Sequence, residues 1–318
     1  MGLFKKQSIA LAIPVPVLLP RRGFLMIKTH KGFIYSMILP AAVLLTVLSL
    51  FPLFFTIRNG FTDYYLLSKK SAHFIGVKNY INIFKDAYFQ RALWNTVKFT
   101  VFAVIIETFI GLVLALFVNS LHTGQSLVRT LLLLPMLVPT VTTALIWQTM
   151  FSNNNGIVNQ MLEFINMTPV NWLMDVKTAF KAILVIDIWQ YTPLAFLLIY
   201  AELQTVPQSQ YEAADIDGAS YKDKLFHVIL PDISTGIGMV LLLRTIDTFR
   251  LFDKINILTR GGPANSTATI SQYIYQYGTK NLQIGYSAAA SVIMTISVLI
   301  LASAYVIKKF KTDIKSLG

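Results

Sequence analysis

Apolar residues run through this chain in stretches longer and less interrupted than the stripe of an amphipathic helix. Six such stretches stand out, at about residues 33–57, 96–118, 127–151, 179–201, 233–257 and 286–307. A helix rising about 1.5 Å per residue needs about 20 residues to cross a hydrocarbon layer of about 30 Å. Each stretch therefore predicts one transmembrane helix, and the expected fold is all-α, an integral membrane protein with six spans. The fifth is the least regular, because Arg244, Asp247, Arg250, Asp253 and Lys254 interrupt it. Pro135, Pro139 and Pro193 fall inside spans, where proline kinks a helix and frees backbone carbonyls. Between the first two spans, Tyr80, Ile81, Ile83, Phe84, Ala87 and Tyr88 recur at near-helical spacing, which predicts a short amphipathic helix at the membrane surface.

Composition supports lipid as the main solvent: of 318 residues, 55% are hydrophobic and only 13% charged, too few to cover a soluble surface of this size. Charge then sets the orientation. Both tails are basic, with Lys5, Lys6, Arg21, Arg22, Lys28 and Lys31 at one end and Lys308, Lys309, Lys311 and Lys315 at the other. With an even number of spans, the positive-inside tendency places both termini on the cytoplasmic side. The expected organisation is a cytoplasmic tail at 1–32, a six-span domain at 33–310 and a short cytoplasmic tail at 311–318. Segments 58–95, 152–178 and 258–285 then face outward, and 119–126 and 202–232 face inward. Arg58, Lys69, Lys70, Lys78, Lys85 and Arg91 in the first outer segment oppose this, but they are spread among acidic and aromatic residues. The stretch from Ile9 to Pro20 is short, holds three prolines and lacks a small-residue cleavage site, so it reads as part of the tail rather than a signal peptide. The net charge of +12 has no aromatic-plus-basic motif beside it, so it reads as orientation in an anionic bilayer, and no nucleic acid partner is expected. The absence of cysteine excludes disulfides and thiolate chemistry. His30, His73, His122 and His227 stand apart, without ligand spacing, so no metal site is expected.

The inward segment 202–232 is too long and too polar for a simple turn. Ser209 and Glu212 have the spacing of a capping box, and Pro207 suits the start of a helix. Ala213 and Ala214 offer a small surface, Gly218 breaks this helix, and Tyr221, Leu225, Phe226 and Val228 continue on a second one as far as Pro231. A projecting helix pair suits docking to a soluble partner, and it equally suits an ordinary connection between two spans. The residues alone leave both open.

The same segment resembles the EAA loop of ABC importer permeases, in which E-A-A is followed after three residues by G, then after nine by I-x-L-P. Glu212, Ala213, Ala214, Gly218, Leu230 and Pro231 match, and Val228 replaces the isoleucine. The resemblance extends to Phe74 through Tyr80, Asn95-Thr96, Trp189 through Pro193, and Arg244 through Pro263, about three quarters of the chain. These resemble the carbohydrate-uptake subgroup, including membrane subunits of the maltose and glycerol-phosphate importers, without the extra spans and large external domain of the larger maltose subunit. The resemblance implies an importer permease core with a cytoplasmic coupling helix. It assigns ATPase coupling to Glu212, Ala213, Ala214, Asp217, Gly218, Val228, Leu230 and Pro231. It also implies a second homologous permease, two ATP-binding subunits and an extracytoplasmic solute-binding protein. No phosphate-binding G-x-x-x-x-G-K-[ST] occurs, so ATP and magnesium belong to a partner chain and no cofactor or catalysis is expected here.

Ionisable groups within a span are costly and usually face a cavity or one another. Candidate solute contacts are therefore Arg244, Asp247 and Arg250 on the fifth span, with Asp187, Trp189, Gln190 and Tyr191 before Pro193 on the fourth. Glu107 is a candidate partner for a fifth-span arginine, and Asn95 is placed near the mouth of the pathway. Aromatic faces and amides suit sugar rings, and Arg244 and Arg250 extend the expected range to acidic sugars. A contrasting expectation is a secondary transporter driven by an ion gradient, using the fifth-span carboxylates.

Overall fold

The computed structural model describes residues 31–316, with side chains over 35–307. The tail at 1–30 with its basic residues, the stretch from Ile9 to Pro20 and His30 lie outside the described residues. The side chains of Lys31, Lys308, Lys309, Lys311 and Lys315 lie outside the described ones. Helix α1 covers Lys31–Gly60, and its portion up to Pro52 forms a unit of its own, an apolar helix carrying Pro40 and Pro52 without a break. From Leu53 onward the chain is a second compact unit.

That second unit is built on two long helices, α3 (Ala87–Ser120) and α7 (Ala179–Leu203). They approach closely at Gly111, where an added Cβ would meet Ala195 Cβ at 2.7 Å and the Phe196 backbone nitrogen at 2.8 Å. In lipid, burying apolar surface gives helices no advantage, so close backbone packing of this kind holds them together. Around the seam lie Ala115, Val118, Ala195, Phe196 and Ile199, all fully buried. Helix α2 (Lys78–Lys85) forms over Tyr80 to Phe84 of the expected amphipathic helix, burying Asn79 and Ile83, while Ala87 and Tyr88 belong to α3. Asp86 then separates it from α3, its carboxylate accepting the Tyr88 amide at 2.8 Å as an N-cap. The same carboxylate accepts the Tyr273 and Tyr277 hydroxyls at 2.7 and 3.1 Å. Burial and the neighbouring carboxylate push the Tyr277 hydroxyl up to about 12.

Two of the expected spans are not continuous helices. The stretch 127–151 is split into α4 (Gln125–Leu137) and α5 (Thr140–Met150), bent by 91°. Pro139 forces this, since it donates no hydrogen bond and drives Val138 to extended backbone (φ −76°, ψ 126°). Gln190 on α7 donates to the Val138 carbonyl freed at the bend, at 2.9 Å. Pro193, by contrast, sits inside α7 without interrupting it.

The stretch 233–257, expected as one continuous helix, is interrupted as well. A helix α9 (Tyr221–Asp232), with a widened turn at Leu225–Ile229, meets α10 (Ser234–Phe249) at a bend of 60°. The chain leaves helical geometry after Phe249 and resumes as α11 (Asp253–Leu258). No proline or glycine marks that break. Thr269 stabilises it instead, its hydroxyl donating to the Leu251 carbonyl at 2.8 Å. The C-terminal helix, numbered below, covers Ile284–Ser316.

Between these lie α6 (Ile157–Phe164), the loop helix α8 (Gln208–Ile216) and α12 (Ile270–Tyr275), followed by α13 (Ile284–Ser316). Among the described residues, α1, α3, α7 and α13 are each long and apolar enough to cross a membrane. The two bent pairs, α4 with α5 and α9 with α10, bring the number to six if each crosses once. Phe109, Leu131, Leu137 and Leu299 stay exposed, as expected where the solvent is hydrocarbon.

Candidate functional site

Four charged side chains meet in the interior where α3, α7, α10 and α11 converge. Arg244 on α10, Glu107 on α3, Asp187 on α7 and Lys254 on α11 are each no more than 1% exposed. Arg244 Nε donates to Glu107 Oε2 at 2.6 Å, and Nη2 donates to Glu107 Oε1 at 3.1 Å and Asp187 Oδ2 at 2.8 Å. Its Nη1 donates to Asp247 at 2.6 Å. The other Asp187 oxygen takes the Lys254 ammonium. One carboxylate thus holds both sides of the break at 250–252, α10 through Arg244 and α11 through Lys254. Tyr191 covers the pair with its ring, the Arg244 guanidinium carbon at 4.0 Å and the Lys254 nitrogen at 4.5 Å.

Beside this network lies a cavity of about 260 Å³ lined by Thr140, Asp187, Tyr191, Arg244, Asp247 and Arg250, with Asp253 and Lys254 on its wall. Asp247 and Arg250 are exposed towards it, at 46% and 60% of their side-chain surface, and lie 3.8 Å apart. Trp189 and Gln190 are elsewhere. Trp189 packs edge-on against Trp147 at 5.7 Å, and Gln190 holds the α4–α5 bend. Asn95 is buried and donates to the Asn265 and Ala268 carbonyls, both at 3.0 Å, fixing the loop before α12.

The second candidate region is the polar loop between α7 and α10. Helix α8 starts after Pro207, and Ser209 makes no cap there. The capping box lies one helix later. Ser220 accepts the Asp223 amide at 3.3 Å, while the Asp223 carboxylate accepts the Ser220 amide at 3.1 Å. The Ser220 hydroxyl and amide hold the Asp223 carboxyl below its usual range. Gly218, at φ +69°, makes the turn between the helices, a conformation that costs glycine little. Lys224 pairs with Asp215 across it. Tyr211, Leu225 and Leu230 pack onto the core. On the outside, Glu212, Ala213, Asp217, Gly218 and Pro231 are exposed, and Ala214, Val228 and Leu230 half-buried. Ile216, Tyr221 and Phe226 are bare apolar groups at 87%, 66% and 62% exposure.

A family model described as the binding-protein-dependent transport system inner membrane component matches residues 94–311, which include both regions. The chain belongs to this family. This ABC transporter permease is 34% identical over 281 residues to the trehalose/maltose transport system permease protein MalF of Thermococcus litoralis, covering 88% of this chain and 94% of that one. It is 36% identical over 255 residues to the sulfoquinovosyl glycerol transport system permease protein SmoG of Agrobacterium fabrum, covering 80% and 83%. A solved bacterial ABC transporter involved in import of the acidic polysaccharide alginate shares the fold, with a TM-score of 0.79 at 22% identity over 88% of this chain and 96% of that one. The relatives are named as transport permeases, and the chain is accordingly an inner-membrane transport subunit rather than an enzyme.

Of the seven residues expected along the solute pathway, Asp187, Tyr191, Arg244, Asp247 and Arg250 come together around one cavity, and Trp189 and Gln190 do not line it. Glu107 meets Arg244 as expected. Lys254 stood among the fifth-span charges without a role. Its separation from Arg244 by a helix break, and their convergence on Asp187, carry no signal in spacing along a single helix.

Proposed function

We propose that this permease is one of two homologous membrane subunits of an ATP-driven, binding-protein-dependent importer of oligosaccharides or related sugars, with both termini in the cytoplasm. The loop of α8 and α9 is the coupling element. The observation that carries this is its exposed face: Glu212 to Gly218 project on a helix–turn–helix elbow whose inner side is packed on the core. Ile216, Tyr221 and Phe226 give that elbow an apolar rim, and bare apolar groups beside a polar face are suited to a protein partner. Two ATP-binding subunits would sit on this side, holding the ATP and magnesium, and a solute-binding protein on the other. Closure of the ATP-binding subunits moves the elbow. The motion passes through Tyr211 and Leu230 into α7 and α10, opening the cavity at Tyr191 and Asp247 to the outside. Sugar delivered there is released inward after hydrolysis. The names of the sugar-transporting relatives support a carbohydrate solute, and the mixed aromatic and hydrogen-bonding wall suits one.

The test is co-purification from membranes expressing the chain with its neighbouring genes. Wild type should bring down a second permease and an ATP-binding subunit. The double variant Glu212→Ala/Gly218→Pro should keep the permease partner and lose the ATP-binding subunit. Recovery of no ATP-binding subunit with wild type would overturn the proposal and favour coupling to an ion gradient.

A further inference from the structure

The three cations of the interrupted fifth span look from the sequence like an anion site, and the geometry argues the opposite. Arg244 commits Nε and both terminal nitrogens to three carboxylates. Lys254 is spent on Asp187, and neither cation is more than 1% exposed. The Tyr191 ring caps both. Arg250 is the exposed cation of the cavity wall, and its partner is Asp247. Counted together, the network and wall hold four carboxylates, Glu107, Asp187, Asp247 and Asp253, against three cations, Arg244, Arg250 and Lys254. A solute carboxylate or sulfonate would find Arg244 and Lys254 already held by carboxylates, with Arg250 the one cation of the three within its reach. A neutral sugar would meet exposed groups that accept and donate without a charge mismatch.

We propose that Asp187, supported by Glu107, is a specificity-determining residue that makes this cavity select uncharged over anionic saccharides by consuming Arg244 and Lys254. The proposal rests on the reading of the cavity as the solute pathway. Its chemistry is subtractive: the cations are present in the wall, and the acids withhold them from the solute. Removing one acid charge should release a cation to the cavity. Removing Lys254 along with it should restore the balance.

The experiment uses the assembled transporter, permeases with ATP-binding subunits, in lipid nanodiscs without its solute-binding protein, so that the binding protein's own selectivity does not enter. Equilibrium binding of maltotriose and of trigalacturonate, a neutral and an acidic trisaccharide, is measured for wild type, Asp187→Asn and Asp187→Asn/Lys254→Met. The trigalacturonate-to-maltotriose affinity ratio should rise by about tenfold or more in Asp187→Asn and return to the wild-type value in the double variant. That return is a readout a purely structural role would not produce. If Asp187→Asn fails to assemble, Glu107→Gln carries the same prediction. An unchanged or lower ratio in an assembled variant, no trigalacturonate binding to it, or loss of both variants from the complex overturns the proposal. Thr140→Trp, which places an indole in the cavity, separates the two readings. Intact maltotriose binding in that variant would remove the pathway reading and the charge selectivity with it. Blocked binding there, with an unchanged ratio in Asp187→Asn, would remove the selectivity alone.

Discussion

Replacing Arg244 by methionine leaves Glu107 and Asp187 in the interior without their common partner, and Asp247 without its shorter bond. Removing one member of a buried ion network costs about 3–5 kcal/mol, because the remaining charges cannot be rehydrated. Arg250→Met removes a cation of the same span that is 60% exposed and 3.8 Å from Asp247, a change worth about 1 kcal/mol or less. Thermal denaturation of the detergent-solubilised permease, followed by size exclusion, should show a large loss for Arg244→Met and almost none for Arg250→Met. Equal losses would mean that the buried network does not hold α3, α7 and α10 together. At this scale the sequence was partly legible. A glutamate in one apolar span and an arginine in another invite pairing, since each alone is expensive in lipid. That Arg244 is buried and Arg250 exposed depends on which way α10 faces, and the alternating charges do not encode it.

Two serines in the loop between α7 and α10 carry the same short pattern, Ser209 with Glu212 and Ser220 with Asp223, and only the second forms the reciprocal cap. Local spacing could not choose between them. Pro207 sets extended backbone at the start of α8 (φ −64°, ψ 133°) and takes the cap position that Ser209 would need. Ser220→Ala should therefore weaken the elbow by about 1 kcal/mol and lower solute-stimulated ATP hydrolysis by the assembled transporter, while Ser209→Ala should change neither. The pH dependence follows from the lowered Asp223 pKa. A carboxyl depressed by folding contributes fully above its ordinary value near ~4 and loses that contribution as pH falls through the folded value. ATP hydrolysis measured between pH 6 and 8 should show no inflection from this group in wild type. The helix breaks divide in a similar way. Pro139 announces the bend between α4 and α5, whereas the break after Phe249 relies on Thr269 reaching Leu251 from a distant loop, and such a contact leaves no trace in local propensity.

For the whole molecule, the four long apolar helices were plain in the pattern, and the number of crossings turns on the two bent pairs. A pair bent by 91° can cross the bilayer or fold back to the side it came from. The positive-inside tendency argues for crossing, since six spans return both basic tails to the same side. The packing argues the same way, because Gln190 fixes the α4–α5 bend against α7, placing it beside a helix long enough to cross. The chain contains no cysteine, so single cysteines can be introduced without a background. Lys69, Thr123, Asn154 and Lys222 are exposed in four successive connections. In spheroplasts, a membrane-impermeant maleimide should label Lys69→Cys and Asn154→Cys at once, and Thr123→Cys and Lys222→Cys only after permeabilisation. Labelling of Thr123→Cys and Asn154→Cys from the same side would make α4 and α5 a re-entrant hairpin. Every later segment would then change sides, the α8–α9 elbow would face outward, and the coupling role proposed for it would be lost.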